Sequence, residues 1–278
     1  MDVIRTKAAL RARVAQWQAA GEAVALTPTM GAVHEGHLSL VRLGLERADR
    51  CVATIFVNPR QFGPNEDFTT YPRDEEGDLA KFRSAGCDAV YIPDPGQMYG
   101  TDYKTEVTVT DISDVMEGAS RPGFFTGVAT VVSKLLIQSL PDIAIFGEKD
   151  FQQLAVIRTM ARDLDLPTEI LGAPTVREAD GLALSSRNAY LTPREREIAP
   201  SLHRAMIAAA ESVRTGAAPH VAAEQAKRDV LAAGFQQVAY IDIRSQDTFA
   251  PAEALSENLR IFAAATLGSC RLIDNIAV

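Results

Sequence analysis

Short apolar runs alternate with amphipathic stretches through residues 5–171, and this alternation restricts the possible folds more than any other feature of the chain. Apolar runs bounded by turn residues predict buried strands, whereas apolar residues three or four positions apart predict helices. Strands that alternate with helices in this way pack as a parallel sheet with helices on both faces. The predicted strands are residues 23–27, 51–57, 88–92, 142–146 and 168–171, with 105–110 as a candidate further strand, and the predicted helices are residues 5–19, 37–48, 74–85, 127–139 and 150–164.

The composition changes after Thr192, where Ala-rich stretches replace the earlier alternation. These stretches predict helices, and the alternating apolar residues that follow predict antiparallel strands. We therefore predict an α/β chain with two domains, a Rossmann-like domain over residues 1–175 and a smaller α+β domain over residues 176–278. His203 and His220, on or beside the Ala-rich helices, are expected to face solvent. The helices predicted here are residues 193–214 and 219–233, and the strands are residues 240–244, 259–265 and 270–277.

The composition favours an ordinary globular protein and argues against two kinds of partner. With 278 residues, of which 47% are hydrophobic and 23% charged, the chain has enough apolar material for a core. The net charge of −8 comes without a basic block, which argues against binding to nucleic acid. No apolar run reaches the roughly 20 residues that span a bilayer. Because the N-terminus also lacks the apolar core of a signal peptide, we expect no membrane partner and a cytoplasmic location.

The cysteines Cys51, Cys87 and Cys270 are isolated from one another in the sequence. Cys51 opens an apolar run that predicts a strand, so a buried free thiol is expected there. Their odd number and wide spacing predict neither a disulfide framework nor a metal cluster.

The loop after the first predicted strand holds two of the four histidines, His34 and His37. Backbone N–H groups and the positive end of the following helix dipole meet in such a loop and favour an anion such as phosphate. Gly31 and Gly36 lack the Cβ atom that would keep a ligand from the backbone. The loop matches neither G-x-x-x-x-G-K-[ST] nor G-x-G-x-x-G, so the two imidazoles would supply the donors to phosphate oxygens. This pattern indicates nucleotidyl transfer.

Two other roles for His34 and His37 remain open from the residues alone. Their spacing is compatible with half of a zinc site, although no Cys or acidic cluster with ligand spacing lies near. The imidazoles are also compatible with capping of the following helix and no other role.

Polar residues follow two later predicted strands, at the end of a parallel sheet where ligands bind. Asn58 and Gln61 offer neutral hydrogen-bonding groups that would orient a small polar substrate, although Asn58 also suits a turn. Lys149 stands before a helix N-terminus, where its ammonium group is unfavourable unless an anion lies between them. Asp150 suits either an N-cap or a contact to nucleotide or magnesium. Gln153 lies one turn further on and would face the same pocket.

The polar segment at residues 174–188 separates the alternating part of the chain from the rest and contains Ser185, Ser186 and Arg187. Paired serine hydroxyls and a guanidinium group make a suitable clamp for phosphate. Helix capping by the serines explains these residues equally well.

His34-Glu35-Gly36-His37 resembles the H-x-G-H signature of the nucleotidyltransferase superfamily, which includes class I aminoacyl-tRNA synthetases. The longer run at residues 28–37 resembles the pantothenate synthetase family, the AMP-forming ligases of pantoate and β-alanine. Phe124 replaces a histidine of that family's pattern, and Leu184 replaces a methionine. Four later blocks resemble V-N-P-x-Q-F, R-P-G-H-F-x-G-V-x-T-V-V, G-E-K-D-x-Q-Q and P-T-V-R-E-x-D-G-L-A-M-S-S-R-N, in the family's order, at residues 57–62, 121–132, 147–153 and 174–188.

The resemblance implies ATP-dependent condensation of pantoate with β-alanine to pantothenate, a step of coenzyme A biosynthesis, through pantoyl adenylate with release of pyrophosphate and AMP. ATP is then a substrate, Mg²⁺ is expected to offset the triphosphate charge without an identified protein ligand, and a homodimer is implied. We expect residues 176–278 to act as a lid that excludes water from the intermediate. The residues assigned by the resemblance are His34, His37 and Lys149 for catalysis, Met30, Gly31, His34, His37, Gly147, Lys149, Asp150, Val176, Leu184, Ser185, Ser186 and Arg187 for ATP, and Asn58, Gln61 and Gln153 for pantoate and β-alanine.

Two alternative functions remain open. An H-x-G-H nucleotidyltransferase that moves AMP or CMP to another small acceptor would share the first motif. A catalytically silent nucleotide-binding protein is the second alternative, because Phe124 removes a titratable side chain from the family's pattern.

Overall fold

The computed structural model describes residues 1–64 and 66–278 of the chain, which form two compact units. The first unit comprises Met1–Asp114, Arg121–Glu148 and Gln152–Pro174. The second comprises Val115–Ser120, Lys149–Phe151 and Thr175–Val278.

Within the described ranges, the first unit is built on a six-stranded sheet whose paired strands all run parallel. The strand order is β1-β4-β3-β2-β5-β6, so the direction of winding reverses between β2 and β5. Ala25 of β2 pairs there with Ile143 of β5. The strands are Asp2–Ile4 (β1), Val24–Thr27 (β2), Arg50–Thr54 (β3), Ala89–Tyr91 (β4), Ile143–Gly147 (β5) and Glu169–Ala173 (β6).

Helices cover this sheet and give the predicted α/β architecture, which is confirmed. All residues of β2 are buried, which explains why this strand reads as a continuous apolar run rather than an alternating one. Helix α1 buries Leu10, Val14 and Trp17, at the helical spacing seen in the sequence. The helices of the first unit are Lys7–Ala19 (α1), Glu35–Arg47 (α2), Glu75–Ser84 (α3), Pro95–Met98 (α4), Phe124–Ser139 (α6) and Phe151–Asp163 (α7). Phe151, the first residue of α7, belongs to the second unit.

The second unit packs helices against an antiparallel sheet with the order β7-β8-β9, as predicted for the smaller α+β part. Met206 and Ile241 are fully buried in its separate apolar core. The strands are Gln237–Ser245 (β7), Leu259–Leu267 (β8) and Cys270–Ala277 (β9), and the helices are Glu117–Ser120 (α5), Pro193–Ile198 (α8), Ser201–Arg214 (α9) and Pro219–Ala233 (α10).

Two sequence predictions of secondary structure are wrong, and one strand was missed. Residues 105–110 do not form a strand, because the N–H of Val107 donates to the hydroxyl of Thr130 on α6 (2.9 Å) instead of to a neighbouring strand. The helix predicted over 193–214 divides into α8 and α9 at Pro200, whose ring nitrogen has no N–H to donate. Strand β1 was not predicted.

No helix in the described ranges is both long enough and apolar enough to cross a membrane. The three cysteines are free and buried, as predicted for Cys51.

Candidate active site

The loop between β2 and α2 is held in place by a buried carboxylate from α3. Asp78 is 1% exposed, and its two oxygens accept the backbone N–H groups of Ala32 (2.8 Å) and Val33 (2.7 Å). Burial raises the pKa of Asp78, although these two N–H donors act in the opposite direction. Gly31 has a φ of +87°, and a Cβ there would lie 2.9 Å from Asp78 Oδ2, so this position requires glycine.

His34 and His37 together form the beginning of α2. The Nδ1 atom of His34 accepts the N–H of Gly36 (3.1 Å), and the Nδ1 atom of His37 accepts the N–H of His34 (3.3 Å). Their ring centroids are 4.1 Å apart. A nitrogen that accepts a hydrogen bond carries no proton, so each neutral imidazole bears its proton on Nε2. The capping role predicted as an alternative is therefore present, and it leaves both rings with an Nε2–H donor.

Asn58 and Gln61 meet the histidine loop through Met30. Asn58 caps the 3₁₀ turn Pro59–Gln61 by accepting the N–H of Arg60 (3.3 Å). Its Nδ2 donates to Gln61 Oε1 (3.1 Å), and Gln61 Nε2 in turn lies 3.1 Å from Met30 Sδ. The turn role predicted for Asn58 is therefore present, and its side chain lies beside that of Gln61.

Phe124, which replaces the family's histidine, lies against the guanidinium group of Arg121. The Cζ atom of Arg121 is 3.8 Å from the Phe124 ring centroid, a cation–π distance. Arg121 also donates to the carbonyl oxygen of Gln61 (3.0 Å) and, through Nε, to Glu66 (2.7 Å). The substituted side chain therefore supports an arginine that contacts the turn bearing Gln61.

Strand β5 ends next to β2, where the winding of the sheet reverses and parallel sheets bind ligands. A Cβ added at Gly147 would meet no described atom within 4 Å, so the backbone faces open space there. Gln153 is half-buried on α7. Its neighbour Gln152 is buried and donates to the carbonyl oxygen of Ile112 (2.8 Å), which leaves Gln153 as the candidate for ligand contact.

In the second unit, Lys149 and Ser185 line the same pocket. Lys149 belongs to the 3₁₀ turn Glu148–Asp150, directly before α7. Its carbonyl oxygen accepts Asn275 Nδ2 (2.8 Å). Ser185 caps a second 3₁₀ turn by accepting the N–H of Arg187 (3.3 Å), so the capping explanation of the serine is also realised.

The same pocket contains His203, which was predicted to face solvent. That prediction is wrong: the His203 side chain is 15% exposed, and its Nδ1 lies 3.5 Å from Asp274 Oδ2. Both Nη groups of Arg177 also donate hydrogen bonds to the carboxylate of Asp274 (2.7 and 2.8 Å). Burial alone would raise the pKa of Asp274, but the donors of His203 and Arg177 and the charge of Arg177 outweigh it and lower the pKa.

The predicted site residues therefore fall into one group in each unit. Val176 and Leu184 pair through a backbone hydrogen bond of 3.0 Å, beside the serines. The first unit holds Met30, Gly31, His34, His37, Asn58, Gln61, Gly147 and Gln153, and the second holds Lys149, Asp150, Val176, Leu184, Ser185, Ser186 and Arg187.

Sequence reasoning missed Asp78, Tyr99 and Asn275. Asp78 is one of three acidic residues in the first turn of α3, and nothing in the pattern distinguishes it from Glu75 and Glu76. Tyr99 donates to Asn58 and Asn275 donates to Lys149. Both partners are far away in the sequence, so hydrophobic periodicity does not reveal these contacts.

Across the part of the chain that the structure describes, no three His, Cys, Asp or Glu side chains are arranged to hold a metal ion. Among the described residues, the structure therefore adds no protein ligands to His34 and His37 that would complete the zinc site considered from the sequence.

Comparison with known proteins gives matches over the whole chain. The family model described as pantoate-beta-alanine ligase matches residues 2–277. A pantothenate synthetase from Paramagnetospirillum magneticum is 58% identical over 278 residues, which are 100% of this chain and 98% of the relative. One from Caulobacter vibrioides is 53% identical over 279 residues, covering 99% and 98% of the two chains.

Solved structures of pantothenate synthetases also match the fold of the whole chain. A pantothenate synthetase from Thermus thermophilus superposes with a TM-score of 0.94 at 42% identity, over 100% of this chain and 99% of that one. A pantoate-beta-alanine ligase from Francisella tularensis, complexed with beta-gamma ATP and beta-alanine, gives a TM-score of 0.83 at 32% identity, over 100% and 97% of the two chains. Sequence and fold both confirm the predicted ligase activity. The chain therefore belongs to the pantoate–β-alanine ligase family, as its five sequence blocks predicted.

Proposed function

We propose that the chain condenses pantoate with β-alanine through pantoyl adenylate. A carboxylate oxygen of pantoate attacks the α-phosphorus of ATP, and the bond to pyrophosphate breaks. The amine of β-alanine then attacks the acyl carbon, loses a proton, and displaces AMP. Family membership over residues 2–277 and a relative complexed with beta-gamma ATP and beta-alanine support this reaction and neither alternative function.

The observation that carries the proposed mechanism is the pair of capping imidazoles at the beginning of α2. Because both Nδ1 atoms accept backbone N–H groups, His34 and His37 direct their Nε2–H donors elsewhere. We assign these donors to phosphate oxygens around the α-phosphorus, where negative charge develops in the transition state. In the neutral form that the cap requires, His37 donates a hydrogen bond to these oxygens and keeps its proton. Met30 and Gly31 would contact ATP from the loop between β2 and α2, and Gly147 would contact it from the end of β5.

The second unit would supply the remaining contacts to ATP. Lys149 and Ser185 line the same pocket, which supports assigning their ammonium and hydroxyl groups to one anion. We assign Lys149 to the reacting phosphate and Ser185, Ser186 and Arg187 to the outer phosphates. Asp150, Val176 and Leu184 complete the proposed set through contacts to the nucleotide.

Pantoate would bind to the amide groups of the first unit. We assign Gln61 and Gln153 as donors to its oxygens, and Asn58 lies directly beside Gln61. Neutral amides suit this substrate because they bind its hydroxyl and carboxylate groups without altering the charge needed for nucleophilic attack.

Mg²⁺ would enter with ATP, because the described residues offer no ready-made cluster of protein ligands. Phosphate oxygens and water are suitable ligands for this ion, which reduces the charge repulsion met by the pantoate carboxylate.

The test of the site uses substitutions that separate capping from catalysis. His34→Asn keeps a side-chain acceptor for the helix N-terminus but removes the Nε2–H donor, whereas His34→Ala removes both. We expect both variants to lower kcat by about two to three decades, with only the alanine variant less stable. His37→Ala and Lys149→Ala are expected to lower kcat by a similar factor, about two to three decades, in a folded protein.

The measurement is a coupled AMP-release assay in which each substrate is omitted in turn, with circular dichroism to verify folding. AMP release that requires pantoate, ATP and β-alanine together supports the proposed reaction. Pyrophosphate release without β-alanine-dependent AMP would instead favour a nucleotidyltransferase. Full activity of His34→Asn would show that His34 only caps the helix.

Three further predictions from the sequence belong to this proposal. Residues 1–175 would bind nucleotide and pantoate, and residues 176–278 would act as the lid. The homodimer implied by the resemblance is tested by light scattering on the purified chain. A cytoplasmic location follows from the proposed use of ATP and is tested by cell fractionation.

A further inference from the structure

The side chain of Asn58 has no remaining capacity for a substrate. It is 1% exposed, and its amide can donate two hydrogen bonds and accept two. Its Nδ2 donates to Gln61 Oε1 and to the carbonyl oxygen of Gly127, both at 3.1 Å. Its Oδ1 accepts the hydroxyl of Tyr99 (2.8 Å) and the N–H of Arg60 (3.3 Å). All four positions are therefore used within the protein.

These partners also fix which way the Asn58 amide points. The carbonyl oxygen of Gly127 can only accept, and the backbone N–H of Arg60 can only donate. Nδ2 must therefore face Gly127, and Oδ1 must face Arg60. Reversing the amide would place two donors together on one side and two acceptors together on the other, at buried positions.

The fixed amide of Asn58 sets the orientation of the Gln61 amide in turn. Because Asn58 Nδ2 donates to Gln61, the atom of Gln61 that faces inward must be Oε1. The NH₂ group of Gln61 then points the other way, towards Met30 Sδ at 3.1 Å. Gln61 is thus set to present hydrogen-bond donors, which is what the oxygens of a carboxylate or hydroxyl substrate require.

Tyr99 completes this network from a different element, the end of α4. Burial raises the pKa of Tyr99, so its hydroxyl remains a donor at neutral pH. The ring is held between aromatic neighbours, with centroids 5.0 Å from Tyr103 and 6.3 Å from Phe56. Arg60 stacks over it at 5.8 Å from Cζ to the centroid. The hydroxyl is therefore supplied from a rigid position.

The backbone groups of Gly127 and Arg60 decide which way the Asn58 amide faces, and the Tyr99 hydroxyl makes the shorter of the two hydrogen bonds to its Oδ1, at 2.8 Å against 3.3 Å for Arg60. We propose that Tyr99 is a positioning residue, which through this bond holds the side chain of Asn58, and with it the donor-presenting amide of Gln61, in place. Asn58 then positions Gln61 and does not itself bind pantoate. This inference rests on the proposed function, because it takes pantoate as the ligand of Gln61.

The first experiment compares Tyr99→Phe with the matched control Tyr103→Phe. Each variant loses one hydroxyl from neighbouring packed rings, but only the first loses the hydrogen bond to Asn58. We expect Tyr99→Phe to lower kcat/KM for pantoate by about tenfold, the usual effect of one buried hydrogen bond, with the KM for ATP unchanged. Tyr103→Phe should leave both constants at the wild-type values.

The second experiment repeats Tyr99→Phe in a Gln61→Ala background, because a residue that acts through Gln61 has nothing to position once that amide is gone. We expect the tenfold effect to shrink to about twofold or less, which is the non-additivity of coupled residues. Any one of three results would overturn the proposal. Tyr99→Phe could lower kcat/KM equally in both backgrounds, it could have no effect in the wild-type background, or it could impair the use of ATP as much as the use of pantoate.

The outcomes separate this inference from the proposed function. If the wild-type chain releases AMP with all three substrates and Gln61→Ala weakens the use of pantoate, a silent Tyr99→Phe overturns the positioning role alone. If the wild-type chain shows no pantoate-dependent turnover, the proposed function fails and the positioning role fails with it.

Discussion

Replacing Asp78 by asparagine should loosen the loop that carries His34 and His37. The carboxylate of Asp78 accepts the N–H groups of Ala32 and Val33 at 2.8 and 2.7 Å. The two N–H groups donate to different oxygens, and asparagine keeps an oxygen at only one of these positions, so its NH₂ group would face the other backbone donor. The neighbouring Lys81 donates to the carbonyl oxygen of Val33 (2.8 Å), so the loop would keep one of its attachments to α3.

The magnitude follows from the two interactions that change. A hydrogen bond to a charged group contributes about 1.5–3 kcal/mol, and a buried donor left without an acceptor costs about 1–3 kcal/mol. Removing the buried charge offsets part of this, since burial is the main cause that raises the pKa of Asp78. We therefore expect Asp78→Asn to lower the free energy of unfolding by about 2–4 kcal/mol. Because Val33 directly precedes His34, kcat should fall by about tenfold to a hundredfold through misplacement of the imidazoles.

The assay combines urea unfolding with the AMP-release measurement, and Asp74→Asn is the matched control. Asp74 caps the same helix by accepting the N–H of Gly77 (3.0 Å), and asparagine caps a helix about as well as aspartate. The control therefore removes the same charge from α3 without changing the loop. If Asp78→Asn matched Asp74→Asn in both stability and kcat, the loop would not depend on the carboxylate of Asp78.

Three other substitutions test neighbouring parts of the structure. Gly127→Ala would drive a Cβ into the backbone of the turn that bears Gln61. We expect this to lower the free energy of unfolding by about 1–3 kcal/mol and to weaken the use of pantoate, and wild-type kinetics would contradict this. Arg177→Met leaves the buried Asp274 without its cation and should cost about 3–5 kcal/mol near neutral pH. The pKa of Asp274 is lowered from 3.8 in the folded chain, so the stability that this group contributes is lost as the pH falls through its folded-state pKa. Urea unfolding should therefore show that the wild-type chain is more stable than Arg177→Met by an amount that shrinks on acidification. A stability difference that does not change with pH would argue against the Arg177–Asp274 pair. Phe124→Leu removes the ring under Arg121 and should lower the free energy of unfolding by about 1 kcal/mol, whereas an unchanged midpoint would exclude a stabilising cation–π contact.

The sheet could be predicted because its burial is periodic and local. In β2, every residue is buried, so the strand stands out as an apolar run between a glycine and a proline. The position of the site also followed from topology, because the loop after β2 and the end of β5 adjoin at the point where the winding reverses. Both conclusions need only the order of elements along the chain.

The interactions that organise the site could not be predicted in this way. Residues 105–110 look like a strand because their polarity alternates, but a hydroxyl on α6 satisfies Val107. His203 lies on an amphipathic helix and was expected at its exposed face, yet it approaches the buried Asp274. Asp78 contacts a loop 45 residues away in the sequence. Each case depends on a long-range partner, and hydrophobic periodicity records burial without identifying partners.

The histidine motif shows why helix capping and catalysis were difficult to separate in the sequence. They appeared as competing explanations of His34 and His37, but in the structure one arrangement serves both. An imidazole that accepts an N–H at Nδ1 must be unprotonated there, and the neutral ring then carries its proton on Nε2. An imidazolium ion could not make the cap, because both of its nitrogens carry protons. The two bonds that begin α2 therefore select neutral rings and decide which nitrogen of each histidine is a donor to the proposed phosphate.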